Sequence, residues 1–278
     1  MATSKADLLR LAGTDVRSPL SPEEYGPVLS SAPFISVPGT FNTRDLGLVP
    51  DSRIRTGYAF RSGALAGLTD DGKTALASNL GVKRVFDLRS PEERAQMPDP
   101  AIAGIENTWI QSKRPDSRPD LNAFVADGGE KGYEAMYLEI VDVYAESWKA
   151  VLEHVRDRPG DPFLVHCTAG RDRTGVISGL LQHLAGADAD AIATDWQLSR
   201  IGTEPVRAML IEFARKGTGA YSDDQPGFQN LVNLSKSCWR VFVEAVEKKY
   251  GGFDKFVTDE LGFSENDIAR IRRNLTSS

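Results

Sequence analysis

Residues 166–175 constrain this chain more than any other segment, since they place a cysteine and an arginine at the two ends of a short loop. The stretch reads His-Cys-Thr-Ala-Gly-Arg-Asp-Arg-Thr-Gly, with five residues between Cys167 and Arg173. The apolar run at 162–165 predicts a buried strand before the loop, and residues 176–181 predict a helix after it. The loop therefore leads from a strand to a helix N-terminus, where backbone N–H groups and the helix dipole favour a bound anion.

Cys167 and Arg173 are residue types that suit the attack of a cysteine on a phosphate ester. A thiolate is the reactive form of cysteine, and its attack on phosphorus would give a phosphocysteine that water then cleaves. A guanidinium is a planar clamp for phosphate oxygens. The predicted substrate-binding loop is made of consecutive residues: Thr168, Ala169, Gly170, Arg171, Asp172 and Arg173. A turn around an inert, buried cysteine is the alternative, but the length and strand–loop–helix context of the string favour catalysis.

The string resembles the signature loop of the protein tyrosine phosphatase superfamily, and most closely a bacterial and fungal tyrosine-phosphatase-like family whose loop reads HCxxGKDRTG. Further segments resemble that family in the same order: residues 41–47, 60–65, 86–93 and 250–262. Arg171 stands where the family has lysine, and Trp196 where it tends to have tyrosine. The resemblance implies a tyrosine phosphatase, with dual or phosphoinositide specificity as a further expectation, acting on a phosphorylated protein or a phosphoinositide.

The resemblance also implies roles for residues beside the nucleophile. His166 would brace the loop and tune Cys167, although a core histidine is an equal alternative. A basic residue at position 171 accompanies activity on multiply phosphorylated lipids in the resembled family, and a solvated loop charge is the alternative for Arg171. Thr174 is placed to donate a hydrogen bond to the sulfur, or only to begin the helix.

The departing alkoxide or phenoxide needs a general acid. Asp172, inside the loop, is the candidate in the resembled family, and a bound dianion beside it favours a protonated carboxyl. Asp87 at a strand end, and Asp116 and Asp120 in the polar segment 111–129, remain alternatives.

Several charged residues in the segments that resemble the family are expected to form one network under or beside the loop: Arg44, Asp45, Arg61, Asp87 and Arg89. Buried charges are normally paired, so a structural role is favoured for them over a catalytic one.

Composition limits the remaining possibilities. With 278 residues, 41% of them hydrophobic, we expect one α/β domain with a central, mostly parallel sheet flanked by helices. Residues 1–32 would form an N-terminal helix and arm, and 33–278 the catalytic domain. A net charge of −6 argues against nucleic-acid binding. No metal-ligand or nucleotide-loop spacing occurs, so no cofactor and no metal are expected.

The cysteines and the hydropathy bear on location. Cys167 and Cys238 are the two cysteines, too few for a disulfide framework. A catalytic thiol suits a reducing compartment, and neither an apolar signal core nor a run of 18 apolar residues occurs. We therefore expect a cytoplasmic protein without an integral membrane segment.

Periodicity and turn residues predict strands mostly before the signature loop and helices mostly after it. Strands are predicted over residues 34–37, 41–46, 58–61, 82–88 and 162–166. Helices are predicted over residues 3–12, 70–80, 131–156, 175–184, 188–200, 204–215, 229–249, 252–260 and 265–275. Residues 13–33 are predicted to be a connecting arm.

Three other functions compete with the leading hypothesis. A sulfur-transfer or arsenate-reducing protein is one, but such sites do not need this string, and Cys238 is 71 positions from Cys167. A pseudophosphatase or interaction module that only binds phosphate is another, although both Cys167 and Arg173 are present. A small-molecule phosphatase is the third.

Overall fold

The computed structural model describes residues 4–277 and contains a five-stranded sheet flanked by helices. The strands are β1 (Arg44–Asp45), β2 (Ala59–Ser62), β3 (Arg84–Asp87), β4 (Glu106–Trp109) and β5 (Phe163–His166). Their order is β1-β2-β5-β3-β4, with β1 antiparallel to β2 and the other pairs parallel. Every residue of the central strand β5 is buried, as a strand covered on both faces must be. The predicted α/β fold with this strand at its centre is confirmed.

All strands lie at or before β5, and the regular structure described after it is helical, as predicted. The helices before β5 are α1 (Lys5–Ala12), α2 (Pro22–Leu29), α3 (Asp70–Thr74), α4 (Pro91–Gln96), α5 (Glu130–Val143) and α6 (Ala145–Asp157). Those after it are α7 (Asp172–Leu184), α8 (Ala189–Gly202), α9 (Arg207–Thr218), α10 (Phe228–Val232), α11 (Lys236–Tyr250), α12 (Phe253–Lys255) and α13 (Glu265–Thr276). No helix within residues 4–277 is long and apolar enough to cross a membrane.

The same four letters, Ser-Pro-Glu-Glu, start two helices that sequence reasoning missed. In α4 the Ser90 hydroxyl accepts from the N–H of Glu93, and the Glu93 carboxylate accepts from the N–H of Ser90 at 2.7 Å. Such a capping box with proline at the first helical position is a strong helix start. Ser21 and Glu24 form the same box at α2, so the prediction of residues 13–33 as an irregular arm is wrong over α2.

Two long predicted helices are each divided in two. The helix predicted over 131–156 breaks at Tyr144, whose backbone leaves the helical range (φ −101°, ψ 16°) between α5 and α6. The helix predicted over 229–249 breaks after α10, where Asn233 is extended. Neither break has a proline or glycine to signal it.

The predicted N-terminal strands are largely wrong. Phe34 makes one isolated bridge to Arg44, and β1 has only two residues, because Asn42 takes a left-handed backbone (φ 57°) that interrupts pairing. The edge strand β4 was missed because its sequence, Glu-Asn-Thr-Trp, is mostly polar and half exposed.

The N-terminal segment packs on the rest of the chain. Leu8 and Leu11 of α1 lie in one apolar cluster with Leu198 and Ile201 of α8. The helix predicted over residues 3–12 is found as α1, with residue 3 outside the described residues. The domain boundary at residue 32 stays a prediction.

Candidate active site

The signature loop connects β5 to α7, as the sequence predicts. Cys167 directly follows β5 and is 2% exposed. Gly170 has φ +63°, and a Cβ there would lie 2.3 Å from the carbonyl oxygen of Ser62 on β2. Only glycine fits this close approach in a left-handed conformation.

The carbonyl side of the loop is tied to neighbouring elements, whereas its amide side is not. Nδ2 of Asn42 donates to the carbonyls of Ala169 (3.1 Å) and Gly170 (3.0 Å), and Nη2 of Arg61 donates to Gly170 (2.8 Å). Within residues 4–277 the N–H groups of Thr168, Ala169 and Gly170 donate no hydrogen bond. With the carbonyls held on one side, unpaired N–H groups form an anion-binding nest.

Asp195 of α8 holds two buried arginines beside the loop. Its Oδ1 accepts from Nε of Arg44 at 2.7 Å, and its Oδ2 accepts from Nη1 of Arg61 at 2.6 Å. Burial lowers the pKa of Arg44 to about 10. Burial opposes ionisation of Asp195, but the two arginines hold its pKa below the ordinary value. Asp195 was missed because it is more than 130 residues from either partner.

A second charged cluster lies behind His166. Asp87 accepts from Arg89 on both oxygens at 2.9 Å and from Arg94 at 2.9 Å. Nε2 of His166 lies 3.0 Å from Oδ2 of Asp99, and its Nδ1 lies 3.4 Å from the carbonyl oxygen of Cys167. His166 is thus buried between the loop and a carboxylate cluster.

The expected single network is therefore two clusters, and Asp45 belongs to neither. The Asp45 carboxylate accepts from the N–H groups of Gly47 (2.8 Å) and Gly57 (2.6 Å), where it holds the turn between β1 and β2. Burial raises the pKa of Asp45. The prediction that Asp45 joins the charged network is wrong.

Glu93 of α4 is the partner of the signature arginine. Nη1 of Arg173 donates to Oε2 of Glu93 at 2.6 Å, and Nη2 donates to Oε1 at 2.7 Å. The Thr168 hydroxyl also donates to Glu93, and Nη1 of Arg173 donates to the carbonyl of Leu88 at 3.0 Å. Burial opposes ionisation of Glu93, but Arg173 lowers its pKa to about 2. Nε of Arg173 donates to no atom of residues 4–277.

Arg171 and Asp172 form a pair at the start of α7. Nε of Arg171 donates to both oxygens of Asp172 (3.0 and 3.1 Å), and its Nη atoms donate to the carbonyls of Leu231 and Val232 at 3.2 Å. Arg171 is therefore not the solvated loop charge of the alternative interpretation, because its side chain is only 16% exposed.

Tyr137 and Trp196 complete the surroundings of Asp172. Nε1 of Trp196 donates to the Tyr137 hydroxyl at 2.8 Å, and that hydroxyl donates to Oδ1 of Asp172 at 2.6 Å. Since an indole N–H can only donate, it leaves the phenolic proton for Asp172. Burial raises the pKa of Tyr137 well above its usual range, so the phenol stays protonated.

Thr174 is fully buried one residue beyond Arg173, and its hydroxyl has no hydrogen-bond partner within residues 4–277. A buried hydroxyl without a partner is costly, which is typical of functional sites.

A cavity of about 440 Å³ lies against Arg171, Asp172 and Arg173. Its wall includes apolar side chains from several elements: Val16, Met136, Ile140, Leu210, Ile211, Leu231, Val232 and Leu234. Asp116 also lines it, with Oδ2 accepting from the Tyr144 hydroxyl at 2.8 Å and lying 3.9 Å from Nη1 of Arg173. Asp120 does not line this cavity and caps a short turn by accepting from the N–H of Asn122.

Comparisons with known proteins agree with this geometry. A family model described as the tyrosine phosphatase family matches residues 35–277. A tyrosine-protein phosphatase of Nostoc commune is 30% identical over 218 residues, which are 77% of this chain and 73% of that protein. The triple specificity protein phosphatase PtpB of Mycobacterium tuberculosis is 30% identical over 269 residues, covering 85% of this chain and 96% of that protein.

Among solved structures, the core catalytic domain of the PP-IP phosphatase Siw14 from S. cerevisiae gives a TM-score of 0.33. The two chains are 18% identical, and the match covers 64% of this chain and 90% of the Siw14 chain. The match of the family model over most of the chain, together with the two bacterial relatives, establishes that this protein belongs to the tyrosine phosphatase family, as a cysteine-dependent phosphoric monoester hydrolase.

Proposed function

We propose that the protein hydrolyses phosphomonoesters with Cys167 as nucleophile and Arg173 with the loop amides as the phosphate site. The observation that carries this proposal is the two-sided loop. Asn42 and Arg61 bind its carbonyls, and the N–H groups of residues 168–170 are left for an anion. Preorganised donors of this kind stabilise the equatorial oxygens of a phosphoryl-transfer transition state.

In the proposed first step, the sulfur lone pair of Cys167 forms a bond to phosphorus while the bond from phosphorus to the leaving oxygen breaks. In the second step water attacks phosphorus and gives a proton to the carboxylate that protonated the leaving oxygen, and the electron pair of the phosphorus–sulfur bond returns to sulfur. The unpartnered hydroxyl of Thr174 supports its role as a donor to that sulfur. His166, held between the loop and Asp99, has the position of a brace.

We propose Asp172 as the proton donor to the leaving oxygen. Its support is its place in the cavity beside Arg173 and its fixed orientation between Arg171 and Tyr137. Asp87 is less suited, because four N–H donors of Arg89 and Arg94 bind it, its pKa is about 2, and it does not line the cavity. Asp116 is the second candidate, since burial raises its pKa and it lines the same cavity.

The proposed substrates are phosphotyrosine proteins first and phosphoinositides second. Relatives named tyrosine-protein phosphatase and triple specificity protein phosphatase support a range beyond one phosphoamino acid. We further propose that Arg171 widens this range by holding Asp172 and the α10 carbonyls at the cavity edge. A catalytic thiolate also suits a reducing compartment, for which we propose the cytoplasm.

Phosphate release should be measured without metal on phosphotyrosine, phosphoserine and phosphothreonine peptides and on several phosphoinositides. We expect release from the phosphotyrosine peptides by the wild type and none by Cys167→Ser. The distribution over the other substrates defines the specificity. Folded wild-type protein that releases phosphate from no substrate would contradict the proposal.

A further inference from the structure

The N-terminal segment of residues 14–20 reaches the cavity beside the signature loop. Val16 is 6% exposed and lines the cavity that also borders Arg171 and Arg173. This segment precedes residue 35, where the match to the family model begins. The wall that it contributes is therefore a feature of this chain outside the matched family region.

A buried ion pair fixes the segment in place. Arg200 of α8 donates to the carbonyls of Thr14 (3.0 Å) and Ser18 (2.8 Å), and it pairs with Glu204, which accepts from the N–H of Leu20 at 2.7 Å. The side chains of Arg200 and Glu204 are only 3% and 4% exposed. Desolvated charges hold a geometry only when they are fully paired, and here they are paired to backbone groups of the segment.

A second anchor lies between the segment and α10. The N–H of Val16 donates to Oδ1 of Asn233 at 3.1 Å, and Nη2 of Arg17 donates to Oδ1 of Asn230 at 3.2 Å. Carbonyls of the same α10 region, at Leu231 and Val232, accept from Arg171 of the signature loop. The segment and the loop thus share one support, which sets their distance from each other.

We infer that the segment of residues 14–20, through Val16, selects substrates whose phosphate is carried on a bulky apolar group such as a fused aryl ring. This inference rests on the proposed function of the adjoining loop. Val16 belongs to the apolar part of the wall, with Ile140, Leu231 and Leu234. An apolar wall of fixed position discriminates by size and surface, because each methylene group is worth about 10- to 200-fold in specificity. Arg200 acts as a positioning residue for this wall.

The experiment compares kcat/KM for 1-naphthyl phosphate with that for phenyl phosphate in the full chain. We expect Val16→Trp, whose larger side chain would fill part of the cavity, to lower the naphthyl-to-phenyl ratio of kcat/KM about tenfold. Val16→Ala, which removes two methyl groups from the wall, should also lower it about tenfold, the lower end of that range. Leu11→Ala is the matched control, since Leu11 is a buried apolar residue of the same N-terminal region that contacts α8 and does not line the cavity.

Ratios within twofold of wild type in both Val16 variants would overturn the inference, as would an equal shift in Leu11→Ala. The affinities of phenylphosphonate and 1-naphthylphosphonate, measured by calorimetry, give the same ratio without turnover. If wild type hydrolyses neither ester, the proposed function has failed, and the phosphonate ratio still decides whether Val16 selects the apolar group.

Discussion

Glu93 binds both terminal nitrogens of Arg173, at 2.6 and 2.7 Å, across 80 residues of sequence. Two parallel N–H···O bonds fix the plane of a guanidinium as well as its position. The carboxylate thereby leaves Nε of Arg173 for the proposed phosphate site, and it also binds the Thr168 hydroxyl of the loop.

Glu93→Gln keeps the shape of the side chain but removes one acceptor and the charge. We expect kcat/KM for an aryl phosphate to fall about 10- to 100-fold, the cost of a lost charged hydrogen bond of about 1.5–3 kcal/mol. Steady-state kinetics with Glu24→Gln, the corresponding capping-box residue of α2 outside the cavity, provide the control. Equal rates in the two variants would show that Arg173 is positioned without Glu93.

Asp172→Asn should impair substrates in proportion to the basicity of their leaving group. General acids typically contribute about 10²- to 10⁴-fold, so we expect a loss in that range for phenyl phosphate and a much smaller loss for 4-nitrophenyl phosphate, whose leaving group needs no proton. Asp116→Asn is the parallel variant. If the leaving-group dependence appears in Asp116→Asn instead, Asp116 is the acid.

Asn42→Gly should test the tether on the signature loop, by which we mean the two hydrogen bonds from the Asn42 side chain to the loop carbonyls. Glycine accepts the left-handed backbone at this position (φ 57°) but has no amide to bind the carbonyls of Ala169 and Gly170. We expect a loss of about 1–3 kcal/mol in the free energy of unfolding and weaker inhibition by vanadate, an anion for the loop. Asp51→Gly is the control, because Asp51 also has a left-handed backbone (φ 62°) but its carboxylate binds Lys5 and not the signature loop. Wild-type affinity for vanadate in Asn42→Gly would contradict a role of the tether in anion binding.

The stability of the fold should decrease in acid. Glu93 and Asp87 have pKa values of about 2 in the folded protein, against ordinary values of 4.5 and 3.8, because arginines outweigh the effect of burial. A carboxyl with a lowered folded pKa contributes stability that is complete above its unfolded pKa and is lost as the pH falls through the folded pKa. We therefore expect the urea midpoint to fall between about pH 4.5 and pH 2. Glu93→Gln should flatten that dependence, and an unchanged slope would exclude this source.

The sequence predicted the strand, the signature loop and the helix better than it predicted the residues that contact the loop from other elements. The strand, the loop and the following helix follow from local pattern, because hydrophobic runs and the positions of glycine and arginine are properties of neighbouring residues. Asn42, Glu93 and Asp195 could not be assigned to the site in this way, because each meets the loop or its arginines only after the sheet has formed. Glu93 did have a local signal, its capping box with Ser90, but that signal predicts a helix start and not a phosphate site.

The breaks in the long helices show the same limit. Tyr144 interrupts a continuous amphipathic pattern, and its hydroxyl donates to Asp116 and lies 3.4 Å from Nη1 of Arg173. The free energy lost by breaking the helix at Tyr144 is therefore offset by tertiary contacts, which a local pattern does not show. Arg171 was expected either to be solvated or to contact phosphate. Its contacts with the α10 carbonyls were not expected, because a continuous helix over 229–249 would have used those carbonyls in its own hydrogen bonds.

Because β5 is the central strand, the elements that support the signature loop differ from those that line the adjoining cavity. Ser62 of β2 and Asp87 of β3 stand in register on either side of His166, so the root of the loop is supported from both sides by strands. The wall of the cavity beside the loop includes residues of other elements: the N-terminal segment, α9, α10 and the polar segment around Asp116. Substitutions in those parts would reshape the cavity and leave the strands that carry Cys167 unchanged, so cavity shape and the root of the loop can be altered separately in this fold.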